Sequence, residues 1–379
     1  MTQKIFKGRY SYLLGSTALM GLQALAFPAA ASDGVKLSLG GFLYNAFGAT
    51  FDDDQAGEAG DNVNTVGVGH DGEIQFEGSV TLDNGVTVGA RFDLEAGDET
   101  GDQFDQSYGY FSGGWGELRI GLVDGAAGSS YMLPPGSTSN FGPYSPNNIG
   151  AVLSPGLFDP ENTITVRDKP IKVVYYSPTW GGFNFGVSYT PNDDEKAYNN
   201  GDNVDGSWRA NKPEGSASNN VGLNVHYEYQ GQDWGLVAGA AAYIEGNVNK
   251  GGPEDAEQAG YNAGVNLNFG AWTFGVAGTY FTNENGQDQD LWLIGTGFTY
   301  EWDAWTLGAG WAHGVRDVAG FSDNDVLDRA GVTANYAMAP GISLDAGIFY
   351  TWAEAADDQG NNADNYDAIE FAVGSALEF

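Results

Sequence analysis

Apolar and polar residues alternate with a period of two along most of this chain, the pattern of a β-strand with one oily and one polar face. The segment Glu73–Ala96 shows it clearly. On both sides of Asp83–Gly85, even positions are mostly apolar and odd positions mostly charged or polar, as Ile74 follows Glu73. This segment predicts a β-hairpin whose two faces meet very different surroundings.

About sixteen such segments follow one another, an even number of the kind found in bacterial membrane barrels. Their connections alternate between short and long. The short connections are Asp83–Gly85, Gly113–Gly116, Pro178–Gly182, Gln230–Asp233, Gly270–Ala271, Asp303–Ala304 and Ala339–Gly341. The long connections are Asp52–Asp71, Gly97–Asp105, Asp124–Val166, Pro191–Asn220, Glu245–Gly260, Thr282–Asp290, Gly314–Val326 and Ala353–Asn365. Such alternation predicts an all-β fold, an antiparallel transmembrane β-barrel with short periplasmic turns and long extracellular loops.

Aromatic residues support the same fold independently, because amphipathic rings favour the two membrane–water interfaces. Five tryptophans lie in or beside short turns: Trp180, Trp234, Trp272, Trp302 and Trp305. Six aromatics lie beside long loops: Tyr189, Tyr243, Tyr261, Tyr280, Trp292 and Tyr350. A preference of aromatics for strands does not explain this clustering at strand ends. We therefore expect the oily face to contact lipid and the polar face to line water.

The first 31 residues have the features of a secretory signal peptide. Lys4, Lys7 and Arg9 precede an apolar stretch, and Ala29–Ala31 supplies small residues for cleavage after Ala31. Residues 32–379 then form a single barrel domain. Removing residues 1–31 takes away three of the 15 basic residues and none of the 50 acidic ones, which leaves a net charge of 12 − 50 = −38. This charge disfavours binding to nucleic acid and favours cations.

Composition and motifs narrow the chemistry further. The chain has no cysteine, which excludes disulfides, thiolate metal sites and cysteine nucleophiles. We find no catalytic constellation and predict neither an enzyme nor a cofactor. Two acidic groups offer oxygen ligands for Ca²⁺, but they lack EF-hand spacing and fit solvated loop acids better. These weak calcium candidates are Asp52, Asp53, Asp54, Asp323 and Asp325.

One stretch resembles a known family. Val173–Pro191, VVYYSPTWGGFNFGVSYTP, resembles a hairpin of the Gram-negative general porins, and the first strand resembles that of their alphaproteobacterial members. The terminal Phe379 is similar to the last aromatic of proteins handled by the outer-membrane assembly machinery. The resemblance implies an outer-membrane location and a homotrimer with the third loop, Asp124–Val166, folded into each pore.

The loop Asp124–Val166 is the longest connection and is rich in proline and glycine, with few charges. Because it also contains Leu, Phe and Tyr, we expect it to pack inside the barrel and narrow the pore. Strand parity turns four basic residues inward, while Arg167 and two loop acids resemble the facing charges of a porin constriction. The predicted basic side is Lys36, Arg91, Arg119, Arg167 and Lys172, and the predicted acidic side is Asp159 and Glu161. Opposed charges would set up a transverse field that orients dipolar solutes.

A purely structural role of the basic residues is the alternative interpretation. They could form ordinary salt bridges with inward-facing acids of neighbouring positions, namely Glu73, Glu77, Asp93 and Glu95.

The leading functional hypothesis is passive diffusion of small hydrophilic solutes and ions, with a preference for cations. One alternative is a substrate-selective channel of the sugar type. Another is a secreted, soluble β-sandwich that binds carbohydrate, in which the oily faces would meet each other. An enzyme housed in a barrel is a further alternative, which the missing catalytic groups disfavour.

Overall fold

The computed structural model describes ten stretches of the chain. They are residues 34–52, 64–96, 104–138, 141–144, 170–192, 217–248, 257–283, 289–318, 323–356 and 366–379. The predicted signal peptide, residues 1–31, lies outside them.

Seventeen strands occur in the described part of the chain, and sixteen of them are long enough to form the wall of a barrel. Each of these sixteen strands pairs antiparallel with the next one. The two-residue β10 pairs only with the first residues of β8. The strands are β1 Lys36–Asp52, β2 Val66–Thr81, β3 Thr87–Glu95, β4 Phe104–Gly113, β5 Gly116–Leu122, β6 Ile171–Tyr176, β7 Phe183–Asn192, β8 Ala217–Gln230, β9 Trp234–Ile244, β10 Asn247–Val248, β11 Ala259–Phe269, β12 Trp272–Thr282, β13 Leu291–Trp302, β14 Trp305–Arg316, β15 Asp325–Ala339, β16 Ile342–Glu354 and β17 Tyr366–Glu378.

Closure of the sheet rests on β1, which pairs with β2 on one side and with β17 on the other. The β1–β17 register runs from Phe42 opposite Glu378 to Asp52 opposite Ala368. A closed single sheet confirms the predicted sixteen-strand barrel. The soluble sandwich alternative is wrong, because a sandwich would need two separate stacked sheets.

Side chains alternate between the two faces of this barrel as the sequence predicts. Outward positions are large and apolar, and Leu37 and Val68 are more than four-fifths exposed at 84% and 82%. Inward positions are polar or small, and Asn262 and Thr279 are buried against other inward groups. No helix in the described residues is long and apolar enough to cross a membrane.

Tight turns connect the strands at one end. The two-residue turns Gly270–Ala271 and Asp303–Ala304 each begin with a positive φ, 60° at Gly270 and 50° at Asp303. Positive φ matches the right-handed twist of the flanking strands in such hairpins, and glycine and aspartate tolerate it better than most residues do. At the other end, the first long loop is shorter than the predicted Asp52–Asp71. Strand β2 begins at Val66, because β1 extends far enough for Ala49 to pair with it.

The exposed outer face generates a stability prediction. Val276 lies outward in the middle of β12, whereas Val88 lies outward one residue from the start of β3, beside a short turn. We expect Val276→Arg to lower the free energy of unfolding by about 2–4 kcal/mol and Val88→Arg by about 0–1 kcal/mol, because a charge costs most at the bilayer midplane. Denaturant unfolding of the folded barrel in lipid vesicles measures both. Equal effects at the two sites would contradict a lipid-facing band.

Candidate pore constriction

The long connection after β5 turns into the barrel and follows its inner wall. Asn224 of β8 donates to the Ala126 carbonyl at 2.5 Å. Asn262 of β11 accepts from the Met132 amide at 2.6 Å and donates to the Met132 carbonyl at 3.1 Å. Asn266 and Thr333 hold the carbonyls of Leu133 and Gly136 at 2.9 and 2.8 Å. Four side chains from three wall strands, β8, β11 and β15, thus hold the backbone of this loop.

Glycines lie between these polar residues in the wall under the loop, and they let two backbones come close. A Cβ added at Gly275 would lie 2.5 Å from Cδ of Pro135, and one added at Gly308 would lie 2.9 Å from the Gly136 carbonyl oxygen. At Gly264 the same addition would lie 2.8 Å from Cβ of Met132. A larger residue at any of these three positions would push the loop away from the wall and into the lumen.

The loop also reaches the wall on the far side of the barrel. Phe141 is buried and packs with Phe349, Ala46 and Ala372 of β16, β1 and β17. Beside this cluster, the guanidinium of Arg329 lies 5.8 Å from the Phe349 ring centre and donates to Glu370 at 3.2 Å. The described part of the loop, residues 124–138 and 141–144, therefore follows the inner wall from β8 round to β1, which confirms that this part lies inside the barrel.

Opposite this anchored face, strands β2, β3 and β5 carry what we call the charged wall: Glu77, Arg91, Asp93, Glu117 and Arg119. Arg91 Nε donates to Asp93 at 2.7 Å, and Arg119 Nε donates to Glu117 at 2.6 Å. In both pairs the partners are two residues apart on one strand, so period two turns them inward together. Each arginine therefore comes with its own counter-charge, and the wall presents both signs side by side.

Three tyrosines frame the charged wall. The Arg119 guanidinium carbon lies 5.3 Å from the Tyr108 ring centre and 4.9 Å from that of Tyr176. Tyr110 donates a short hydrogen bond to Glu77. The Tyr176 hydroxyl also forms a hydrogen bond with the hydroxyl of Ser129, a residue of the loop. The Ser129 amide donates to the Gly125 carbonyl at 3.0 Å and closes a single helical turn. Ser129 is thus where the loop meets the charged wall, and this meeting is the candidate constriction.

The other predicted constriction residues are distributed differently. Lys172 faces inward but is buried, and its Nζ donates to the Val123 carbonyl at 2.6 Å, which fastens the start of the loop. Lys36 opens β1 opposite Ser79 and is exposed towards the short-turn rim. Arg167, Asp159 and Glu161 lie outside the described residues. The roles assigned to all of these residues stay predictions.

Two of the weak calcium candidates, Asp53 and Asp54, also lie outside the described residues, and Asp52 ends β1. Asp325 accepts from Arg316 at 2.6 Å and from the Ala356 amide at 2.9 Å, so an arginine already neutralises it. Among the described residues, another set of acids could share one cation. The carboxylate oxygens of Glu73, Glu95 and Asp105 lie within 4.8 Å of one another on the inner face of β2, β3 and β4.

Comparison with known proteins finds Gram-negative outer-membrane proteins of the same fold. A sequence model described as Gram-negative porin matches residues 15–373. No curated protein matches the sequence. The solved anion-selective porin from Comamonas acidovorans is 15% identical, with a TM-score of 0.59 over 91% of this chain and 100% of that one. The trimer form of OmpT, an outer-membrane protein of Vibrio cholerae, is 13% identical, with a TM-score of 0.56 over 92% and 100%. A porin mutant from Rh. blastica is 19% identical, with a TM-score of 0.50 over 91% and 100%.

The anchored loop generates a prediction. Replacing Asn262 by Ala removes both side-chain hydrogen bonds to Met132 and leaves two buried backbone groups unsatisfied, at a cost of about 1–3 kcal/mol each. We expect larger and noisier single-channel currents in planar bilayers, because the loop loses its attachment to the wall at Met132. Asn268→Ala is the matched control, since Asn268 bonds to Thr273 on the neighbouring strand. Identical current noise in the two variants would show that Asn262 does not hold the loop.

Proposed function

The chain belongs to the Gram-negative porin family, and from this premise we propose that it lets small hydrophilic solutes and ions diffuse passively through its pore. It lies in the outer membrane, as its family and fold establish. The observation that carries the proposal is the partial filling of the barrel. The loop is fastened to the wall from β8 round to β1 and meets the charged wall at Ser129. The lumen on the side of the charged wall is left for solutes.

We further propose that the channel prefers cations. The two arginines of the charged wall are each paired with an acid, so they do not make a purely basic constriction. The whole chain carries a formal charge of −35, which favours cations at both mouths. The solved protein from Comamonas acidovorans is described as anion-selective. Its likeness to this chain is one of fold, so the selectivity proposed here rests on this chain's own charges.

Reversal potentials across a KCl gradient test this preference. We expect a reversal potential of the sign that indicates K⁺ permeation, largest at low salt. The preference should shrink at high salt, because the screening length falls from about 10 Å at 0.1 M to about 3 Å at 1 M. A reversal potential favouring Cl⁻ in dilute salt would overturn the proposal.

Two substitutions of one ion pair supply the control for this measurement. Arg91→Ala should increase the cation preference and Asp93→Asn should decrease it, since each removes one sign of charge from the same place in the lumen. A general loss of structure would move both variants alike. The double variant should return towards the selectivity of the original chain, because its two charge changes cancel.

A substrate-selective channel is the second candidate. Tyr110 and Tyr176 are partly buried beside the buried Tyr108 at the charged wall, and their exposed ring surface suits contact with the apolar faces of sugars. Rates of liposome swelling in stereoisomeric sugars of equal size distinguish such a channel from general diffusion.

A homotrimer is proposed for the assembly, and the outer surface supports a contact through β17 and β1–β5. The outward positions of these described strands carry neither Trp nor Tyr. Strands β7–β16, in contrast, carry outward Trp and Tyr side chains near the two membrane interfaces. Three polar residues also form one cross-strand row on this face, since Asn45 pairs with Ser375 on one side and with His70 on the other. Polar side chains on the outer face of a membrane protein are typical of contacts between subunits.

A further inference from the structure

A groove of about 930 Å³ lies on the opposite outer face, across β7–β13. Its floor is one cross-strand row of small residues. Ala240 of β9 pairs with Ala263 of β11, which pairs with Gly278 of β12. The row is bounded by Val225, which pairs with Ala240, and by Ile294, which pairs with Gly278. Period two turns all five residues outward, so the groove opens to the membrane and not to the pore.

Larger side chains form the upper wall of the groove. The next outward row towards the long loops runs from Ala242 through Tyr261 and Tyr280 to Trp292. All three aromatics of this row are about two-fifths exposed. Because the long loops are extracellular, this wall stands at the outer-leaflet interface, and the floor lies on the hydrocarbon side of it.

The aromatic belts show what surrounds this sector. Trp234 begins β9 and Trp272 begins β12 at the short-turn rim. Tyr261 of β11 and Tyr280 of β12 lie near the opposite rim. Tryptophan and tyrosine at both rims mark a surface that meets lipid. A second copy of the chain is expected on the other side of the barrel, where the belts are missing. The groove therefore faces acyl chains.

We propose that this groove is a binding site for one acyl chain of an outer-leaflet lipid. Apolar side chains surround the groove. If the groove were empty, these side chains would lose dispersion contacts, which a flexible acyl chain can supply. Hydrophobic transfer does not drive such binding, since lipid tails are as apolar as the groove. The gain is the shape match between a linear chain and a trough with a floor of Ala and Gly side chains.

Native mass spectrometry of the detergent-solubilised protein, titrated with dipalmitoylphosphatidylethanolamine, tests the proposal. We expect one lipid per barrel to bind saturably. Ala240→Phe and Ala263→Phe each fill the floor with a ring and should weaken this binding about tenfold. Ala334→Phe is the matched control, because Ala334 lies outward on β15, away from the groove, and should bind as the original chain does. The same spectra give the number of copies in each complex.

Binding that is unchanged in both floor variants would overturn the proposal. Loss of the trimer on filling the floor, with no saturable lipid in the original chain, would overturn it in favour of a second copy in the groove. If neither floor variant folds, a cryo-electron microscopy map of the original chain in lipid nanodiscs decides. Elongated density along the row from Ala240 to Gly278 supports the site, and featureless density there, beside ordered lipid elsewhere on the barrel, refutes it.

Discussion

The pairing of the first strand with the last is the constraint on which the rest of this structure depends. An unpaired backbone group in hydrocarbon costs several kcal/mol, so a sheet can cross a membrane only when it has no edge. Here the Gly41 amide donates to the Phe379 carbonyl and the Phe379 amide to the Gly41 carbonyl, both at 3.0 Å, and the ladder continues to the far end of β1. Once the ring is closed, period two assigns every strand residue to lipid or to the lumen.

Closure also explains how a long loop can enter the lumen. Its backbone polar groups need partners there, and they find them in amide side chains of the wall such as Asn224 and Asn262. Glycines at positions such as Gly275 and Gly308 provide the room. The loop is therefore fastened over most of its described length, and this part lies inside the barrel as a fixed part of its wall. The charged wall keeps its ion pairs on the side that the loop leaves open.

Much of this fold follows from the sequence, because strand parity and turn chemistry are local. Alternation places Arg91 and Arg119 on the inner wall, and the same rule places Glu117 beside Arg119, where the structure shows an ion pair. The sequence also predicts that the proline-rich, weakly charged loop packs inside the barrel, and the described part of the loop lies there. Its contacts were not predictable, because Met132 and Asn262 are 130 residues apart and meet only through the register of many strands. For the same reason the small-residue floor of the outer groove, spread over three strands, is invisible in any single segment.

The absence of cysteine from the chain allows a direct measurement of where the loop lies. A single cysteine at Ser129, at the meeting of the loop and the charged wall, can be modified with a bulky cationic thiol reagent during single-channel recording. A cysteine at Asn84, at the tip of an exposed short turn, is the control. If the loop forms one side of the constriction, modification of Ser129→Cys lowers the conductance in discrete steps, and modification of Asn84→Cys leaves it unchanged. Full modification at position 129 with unaltered conductance would contradict the account.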